Sequence, residues 1–516
     1  MRQSIPFVSP SYNRSDFYSV SSQSCVNFYL ENYPTASPRA TVAAIGMPGL
    51  STYINLVGSS VRGMISYQGT GYVVVDNGVY QITNASTVPP TATLLGTIAT
   101  STGPVNFCAI GLVQQIVLND GVNTYYIHGG TPPGTLTNIT NAGGIPASVL
   151  QAVAKDGFFL YLQATNNTVW VSNIQDAATV GGAFFQLSSH FDQLQWAVAL
   201  DQYVYFFGQN VSEIWYNAGT ALQPFGRTSG GVLQFGVVAG ATAVNVGDSL
   251  YLLGQLEDGI LGVVTITGSS YSVISDPTLN TKITGYVKTS DAFAWKDSVN
   301  GHQFYNITFP TAEQILSVGG VTANRGRTWS YDVTQGNWSE RTSWNPSLNL
   351  QDRHLCNCSM FLGGMQIIGD YQSGYLYVES TNNLSDTIQG VNYPIYGTLI
   401  GPHLMDHGNN FSVYNLEFEI ERGEGLDGTG QGSAPQVAFS YSKDQGHTYT
   451  GPFMLNLPHI GNYKKRVRKG SVGGARVLTM KLDFTDPIKR VVTGITAEIE
   501  YEGRPSNSQL SFMSNQ

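Results

Sequence analysis

The chain has 516 residues, 42% of them hydrophobic, a formal net charge of −9, and only 11% charged residues, against roughly 25% in an average soluble protein. Those figures exclude global disorder, long charged coiled coils and a protein that coats nucleic acid. With 58 Gly and 29 Tyr, short strands and tight turns are expected, and the low charge implies a folded surface covered in part by other subunits. The charge is uneven: residues 1–390 hold 13 Lys+Arg against 22 Asp+Glu, and residues 391–516 hold 12 of each. Cys25, Cys108, Cys356 and Cys358 are too few and too scattered for a disulfide framework. The opening MRQSIPFVSP lacks the apolar run of a secretory leader. No run approaches the ~20 apolar residues of a spanning helix, so no stable membrane insertion is expected. Sequons such as Asn210-Val-Ser and Asn306-Ile-Thr are those a chain rich in Asn, Ser and Thr makes by chance.

Up to about residue 390 one unit recurs: a hydrophobic strand, a polar turn and a second strand rich in Tyr or Trp. The units are YVVVDNGVYQI (72–82), QIVLNDGVNTYYIH (115–128), FFLYLQATNNTVWVS (158–172), YVYFFGQNVSEIWY (203–216), LYLLGQLEDGILGVVTI (250–266), AFAWKDSVNGHQFYNI (292–307) and MQIIGDYQSGYLYV (365–378). Asn77-Gly78, Asp120-Gly121 and Asn300-Gly301 are hairpin signals, because a type I′ turn needs two positive φ angles. A step of roughly 40–50 residues matches one four-stranded propeller blade. The last step is longer because TWSYDVTQGNWSER (328–341) adds a hairpin suited to the outer strands of the sixth blade. The expected fold is all-β: a β-propeller of six or seven blades, then an antiparallel β-sandwich. The alternative is a long irregular sandwich array.

Residues 383–410 read as a connector rich in Gly, Pro and Asn. Behind it alternation becomes strict. Leu416, Phe418 and Ile420 face one way and Glu417, Glu419 and Glu421 the other; Leu478, Met480, Leu482 and Phe484 share a face; Ile495, Ala497, Ile499 and Tyr501 alternate with Glu498, Glu500 and Glu502. The expected division is an N-terminal arm at 1–40, a propeller at 41–390, a sandwich at 391–505 and a tail at 506–516. The stretch GEGLDGTGQGSAP (423–435) is a loop between strands. No helix follows its glycines, so it lacks the context of a phosphate-binding loop.

Few residues are spaced for chemistry. Glutamates at i and i+2 lie ~6.7 Å apart, a spacing that would suit a glycosidase pair, but charge at every second position is simply a solvated strand face. His354, Cys356 and Cys358 supply three ligand types where a closed zinc site needs four. Cys356 and Cys358 are expected to share a strand face as a small buried thiol pair. His403-x-x-x-His407, with Asp406, follows Pro402 in a loop, so helical ligand spacing is not expected. No cofactor and no catalytic set is assigned.

Two stretches remain. Ser442-x-Asp444-x-Gly446-x-Thr448-Tyr449 fits the Asp-box pattern, a turn staple in which the Asp accepts amide hydrogens, the Gly allows positive φ and the ring anchors the hairpin. Lys464, Lys465, Arg466, Arg468 and Lys469, with Arg476 beyond a Gly-rich turn, form the one basic concentration in an acidic chain. Such a run is ordinarily a solvated face. Here an anionic partner is also open, either nucleic-acid phosphate or an acidic neighbouring subunit. The acidic faces Glu417/Glu419/Glu421 and Glu498/Glu500/Glu502 have the sign to be that subunit's counterpart.

Several segments resemble the packaged-DNA stabilisation, or tail hub (nozzle), proteins of short-tailed bacteriophages. They are VNFYLEN (26–32) with GMPGL (46–50), HQFYNITFP (302–310), RTWSYD (327–332), GNWSER (336–341), GGMQIIGDYQSGYLY (363–377), GPHL (401–404), the Asp-box, YKKRV (463–467) and TDPIKR (485–490). Leu30 stands where the family would have proline, and the 423–435 loop and Cys-x-Cys stretch depart from it. The resemblance is clear over 300–505; residues 60–290 agree only as repeated hairpins. It implies a non-enzymatic virion protein of the tail, assembled in the host bacterial cytoplasm. It further implies a homo-oligomeric ring of six copies below the portal and its adaptor, which continues the channel for packaged double-stranded DNA and carries spike, fibre or needle proteins. A channel through which DNA slides should not be strongly basic, since phosphate neutralisation makes DNA stick. The competing reading is a glycan-binding or glycan-cleaving propeller, sialidase-like or lectin. The first needs an arginine cluster in the blades, where arginines are sparse. The second needs aromatic and acidic residues recurring at one blade position, and no such recurrence is visible.

Overall fold

The structure is a computed structural model, and it describes residues 2–5, 7–8, 13–14, 21–33, 42–111, 114–128, 134–187, 192–220, 223–256, 258–316 and 322–501. The expected tail at 506–516 and Glu502 lie outside the described residues. Among them, one α-helix is present, Pro277–Thr284. Asp276 caps it, accepting from the Leu279 amide at 2.7 Å, and Pro277 occupies its first turn. No helix among the described residues is long and apolar enough to cross a membrane.

Every repeated hairpin forms. Four-stranded antiparallel sheets span 61–97, 106–138, 151–186 and 196–233, and a five-stranded one spans 236–273. The next blade pairs Phe293–Val299, His302–Leu316, Thr322–Asp332 and Asn337–Asn345 in order, so the 328–341 hairpin does supply its outer strands. The last holds Cys356–Leu362, Met365–Asp370 and Tyr375–Ser380, and its outer strand is Gly49–Asn55, taken from before the first blade. Seven sheets therefore surround one axis. Six are self-contained, and the one at 293–345 runs on into the second domain.

The core of this ring is divided. Each neighbouring pair of blades encloses its own apolar cluster. Val74, Ile116 and Leu118 lie between the first two; Ile110, Phe159 and Tyr161 lie between the next two. The series ends with Val73, Leu362 and Ile367 between last and first. Where the inner strands meet is a cavity of about 620 Å³, lined in part by Met64, Phe107, Trp196, Ala243, Phe293 and Ser359.

The turn chemistry is partly as expected. Asn300 (φ +50°) and Gly301 (φ +86°) make the two-residue loop with both angles positive. At 77–78 the loop is instead Asp76-Asn77, with Asp76 at φ +49° and Gly78 already in the strand. Asp120-Gly121 sits in a four-residue loop between Asn119 and Thr124, where the Asp120 carboxylate accepts the Val122 and Asn123 amides.

The second domain is a two-sheet sandwich around one large cluster that includes Phe28, Leu416, Phe418, Phe439, Leu482 and Ile495. One sheet orders Phe28–Asn32, Val42–Gly46, Val491–Tyr501, Phe411–Ile420 and Val467–Lys469, with Arg2–Ile5 added along Val491–Tyr501. The other orders Ser22–Val26, Gly397–Ile400, Val477–Phe484, Gln436–Ser442 and Thr450–Asn456. The expectation of a separate N-terminal arm at 1–40 is thus corrected: the described strands before residue 47 are sandwich strands. Their apolar residues, among them Ile5, Phe28, Leu30 and Ala44, complete a core that the C-terminal strands alone leave open. Ser22–Val26 also carries the junction, since Val26 pairs with Glu340 of the sixth blade. The expected connector at 383–410 holds its own hairpin, Ser385–Ile388 with Val391–Pro394.

Candidate interaction surface and domain joint

The Asp-box sits at the tip joining Gln436–Ser442 to Thr450–Asn456. Ser442 Oγ donates to Asp444 Oδ1 at 2.6 Å and accepts the Gly446 amide at 2.8 Å. Asp444 accepts the Thr448 amide at 2.9 Å and the Thr448 hydroxyl at 2.5 Å. These bonds hold the Asp444 carboxyl well below the usual carboxylate range, the Ser442 bond being the largest cause. Gly446 has φ +96°. Tyr449 is half-buried, with the Lys481 ammonium 6.0 Å from its ring centre.

The basic run divides in two. Tyr463, Lys464 and Lys465 are exposed on the loop before Val467–Lys469, and the Tyr463 ring lies so close to Gly423 (φ +79°) that a side chain there would collide with it. Arg466 and Arg468 turn back onto Glu417 Oε2, at 3.3 and 3.2 Å, and Arg2 joins them at 2.5 Å. Glu417 is buried while those arginines stay about half exposed. Burial pushes the Glu417 carboxyl up, but the Arg468 hydrogen bond and the charges of Arg466 and Arg2 hold it below its ordinary value. Glu417 therefore meets its cations within its own chain and is withdrawn from the acidic face expected for a neighbour. Lys469 lies over the Phe453 ring at 4.4 Å, and Arg476 donates to Asn410 Oδ1 at 3.1 Å. Sequence reasoning missed Arg2, which no local pattern ties to residue 417. It also missed the burial of Glu417, which alternation alone cannot separate from Glu419 or Glu421.

The propeller–sandwich joint is the other concentration of polar groups. Buried Asn27, at φ +56°, donates from Nδ2 to the Thr342 carbonyl (3.0 Å) and the Tyr396 carbonyl (2.8 Å), and its Oδ1 accepts the Thr342 amide (2.9 Å). Buried Arg490 donates to the Ile395 and Met47 carbonyls, both at 3.2 Å, over the Phe28 ring. Beside them Arg341 is fully buried between Asp297 (2.7 Å) and Glu379 and lies over the Trp295 ring. Burial pushes Glu379 up; it also pushes Asp386 up to about 7, against the opposing charges of Arg341 and Arg490. Burial pushes Arg490 down to about 10, with Asp386 opposing. VNFYLEN, GMPGL and TDPIKR converge here.

The candidate ligand sets do not assemble. A bulge between Cys356 and Cys358 shifts the register, so Cys356 enters the cluster between the sixth and seventh blades and Cys358 the one between the seventh and first. The expected shared face is thereby corrected: a bulge adds one residue and flips alternation. His354 is buried, stacks on Trp295 and accepts the Cys356 amide at 3.2 Å. His403 bonds Thr479 at 2.6 Å; His407 lies at φ +48° in the turn beyond Leu404–Met405. Among the described residues, no group of three or more His, Cys, Asp or Glu is arranged to hold a metal.

Among solved structures, similarity extends to the WD40 β-propeller domain of Doa1 (11% identity, 64% of this chain, 97% of that one, TM-score 0.39). Streptogramin B lyase gives 12%, 68%, 97% and 0.39. PorZ of the type-IX secretion system of Porphyromonas gingivalis gives 10%, 79%, 52% and 0.37. No curated protein matches. Two family models match the sequence: the β-propeller of bacteriophage P22 Gp10 over residues 4–382, and the β-sandwich of the same protein over residues 397–500. The two run in chain order across nearly all of it, so the chain belongs to the bacteriophage P22 Gp10 family, the packaged-DNA stabilisation or tail hub proteins, which are structural proteins of the phage tail.

Proposed function

We propose that this chain is a subunit of a ring, generally of six copies, in the tail of a short-tailed phage. The ring continues the DNA channel below the portal and its adaptor, retains the packaged genome and carries spike, fibre or needle proteins. It assembles in the host cytoplasm. The presence of both Gp10 domains in order carries this reading. The joint supports it: a wall element must resist load, and here a sheet crosses the boundary beside buried, multiply bonded side chains. The exposed run around Lys464 and Lys465 is assigned to protein–protein contact in that ring or with the adaptor. Native mass measurement of the purified chain, alone and with a portal–adaptor assembly, tests the reading. A closed ring that docks on the adaptor is expected; a chain that stays monomeric at every concentration and ignores the adaptor overturns it. Replacing Lys464, Lys465 and Arg466 with Ala should impair assembly or docking. Normal assembly combined with leakage of packaged DNA would reassign the cluster to DNA.

A further inference from the structure

Between Arg2–Ile5, Phe411–Ile420 and Val491–Tyr501 lies a cleft of about 410 Å³ lined by Arg2, Ser4, Glu417, Glu419, Arg422, Arg466 and Thr496. Its charge does not balance. Three guanidiniums, those of Arg2, Arg466 and Arg468, converge on the single oxygen Glu417 Oε2. Arg422 adds a fourth, 3.6 Å from Glu419. Four cations, one of them (Arg468) reaching Glu417 from outside the lining, thus meet Glu417 and Glu419, with Glu498 opposite Arg2 in the strand register as a third carboxylate on that face. A guanidinium carries five N–H donors in a rigid fork. Among the described residues, Arg466 makes one hydrogen bond, to Glu417, and Arg422 has only its ion pair with Glu419. Glu417 forms a buried floor at 4% exposure, while the arginines above it are 47–56% exposed. Donors are therefore left facing outward into the cleft.

We propose that this cleft is an anion site that takes one or two carboxylates from an acidic segment of a protein partner. The fork geometry of Arg fits a planar carboxylate through two parallel hydrogen bonds, and Ser4 and Thr496 offer hydroxyls at the rim. The volume suits side chains. A duplex presents its phosphates on a convex ridge that would touch only the rim. The inference does not depend on ring formation, since every residue of the cleft belongs to one chain.

The test uses the full-length protein and a fluorescein-labelled hexaglutamate peptide at low salt, with anisotropy as the readout and unlabelled duplex DNA and inorganic phosphate as competitors. Saturable peptide binding is expected. Arg422→Ala and Arg466→Ala should each weaken it roughly tenfold, the value of one charge-assisted contact. Glu417→Gln should strengthen it, because one internal competitor for the arginines is removed; a purely structural cluster would not gain affinity. Should Glu417→Gln fail to fold, Arg422→Ala decides alone, with a thermal melt as the control for folding. Peptide binding unchanged in Arg422→Ala and Arg466→Ala overturns the proposal. So does a duplex that binds more tightly than the peptide with the same arginine dependence, which would make the site one for nucleic acid.

Discussion

The propeller and the sandwich spend the same β-hairpin chemistry differently. The propeller is largely sequential: its first six blades pair neighbours in the chain, the last alone takes a distant strand, Gly49–Asn55, and its core is split into small clusters between blades. The sandwich draws strands from both ends of the chain and buries one large cluster. The contrast teaches that local order sets up a repeat, while a single shared core needs contacts across nearly the whole chain.

The sharpest way to break that comparison is to cut the chain. A fragment of residues 391–516 lacks Ser22–Val26, Phe28–Asn32 and Val42–Gly46, and should not melt cooperatively in calorimetry or circular dichroism. Adding residues 1–46 in trans should restore a transition. A cooperative melt of the short fragment alone would show that the sandwich needs no help.

Next in size is Arg341→Ala at the boundary between the two regions. It strands Asp297 and Glu379 in the interior, and removing one partner of a buried ion pair costs roughly 3–5 kcal/mol. Urea unfolding should show that loss, spread to both domains because the joint is shared. A change confined to the propeller would mean the regions unfold independently.

A smaller effect is expected from pH. The Asp386 carboxyl rises from 3.8 to about 7 on folding. The folded state thus holds its proton more tightly than the unfolded state, so this group's stabilisation is full below pH ~4 and is lost as pH rises through about 7. Thermal stability should therefore fall between pH 5 and pH 8. Asp386→Asn should flatten that slope and raise stability at pH 8, with a ceiling of about 4 kcal/mol for three pK units. A parallel slope in the variant would place the pH dependence elsewhere.

The smallest is Asp444→Ala. Its bonds are local to one hairpin tip. Hydrogen exchange at the Thr448 amide should quicken while the global melting temperature moves by less than about 2 °C.

Legibility in the sequence follows the same divide. Hairpins were readable because their partners are adjacent, and Asp156-Gly157, with φ of +49° and +84°, carries the same turn signal. The order of sandwich strands was not readable. Arg2–Ile5 and Glu498 are almost a whole chain apart, and a strand looks alike whichever edge it joins. The Asp-box was legible as a turn pattern, but the Ser442 and Thr448 hydroxyls that also donate to Asp444 were not part of that reading. The basic run was legible as charge, but its partition between solvent and Glu417 depends on a strand register that charge counts do not contain. Cys356 and Cys358 misled because a bulge leaves no trace in simple alternation.

The outer strand of the last blade, Gly49–Asn55, pairs with Tyr375–Ser380. During synthesis that partner is made some 320 residues later. At roughly 5–20 residues per second, the opening segment waits about fifteen seconds to a minute. The intermediate blades can fold one after another in that interval, while Phe28, Leu30 and the bare edge of Gly49–Asn55 stay uncovered. Closure of the ring and completion of the sandwich are thus late events on the ribosome. Neighbouring nascent chains on one message expose identical unpaired edges at the same time, so yield in a cell rests on shielding the first 55 residues until the last ones appear.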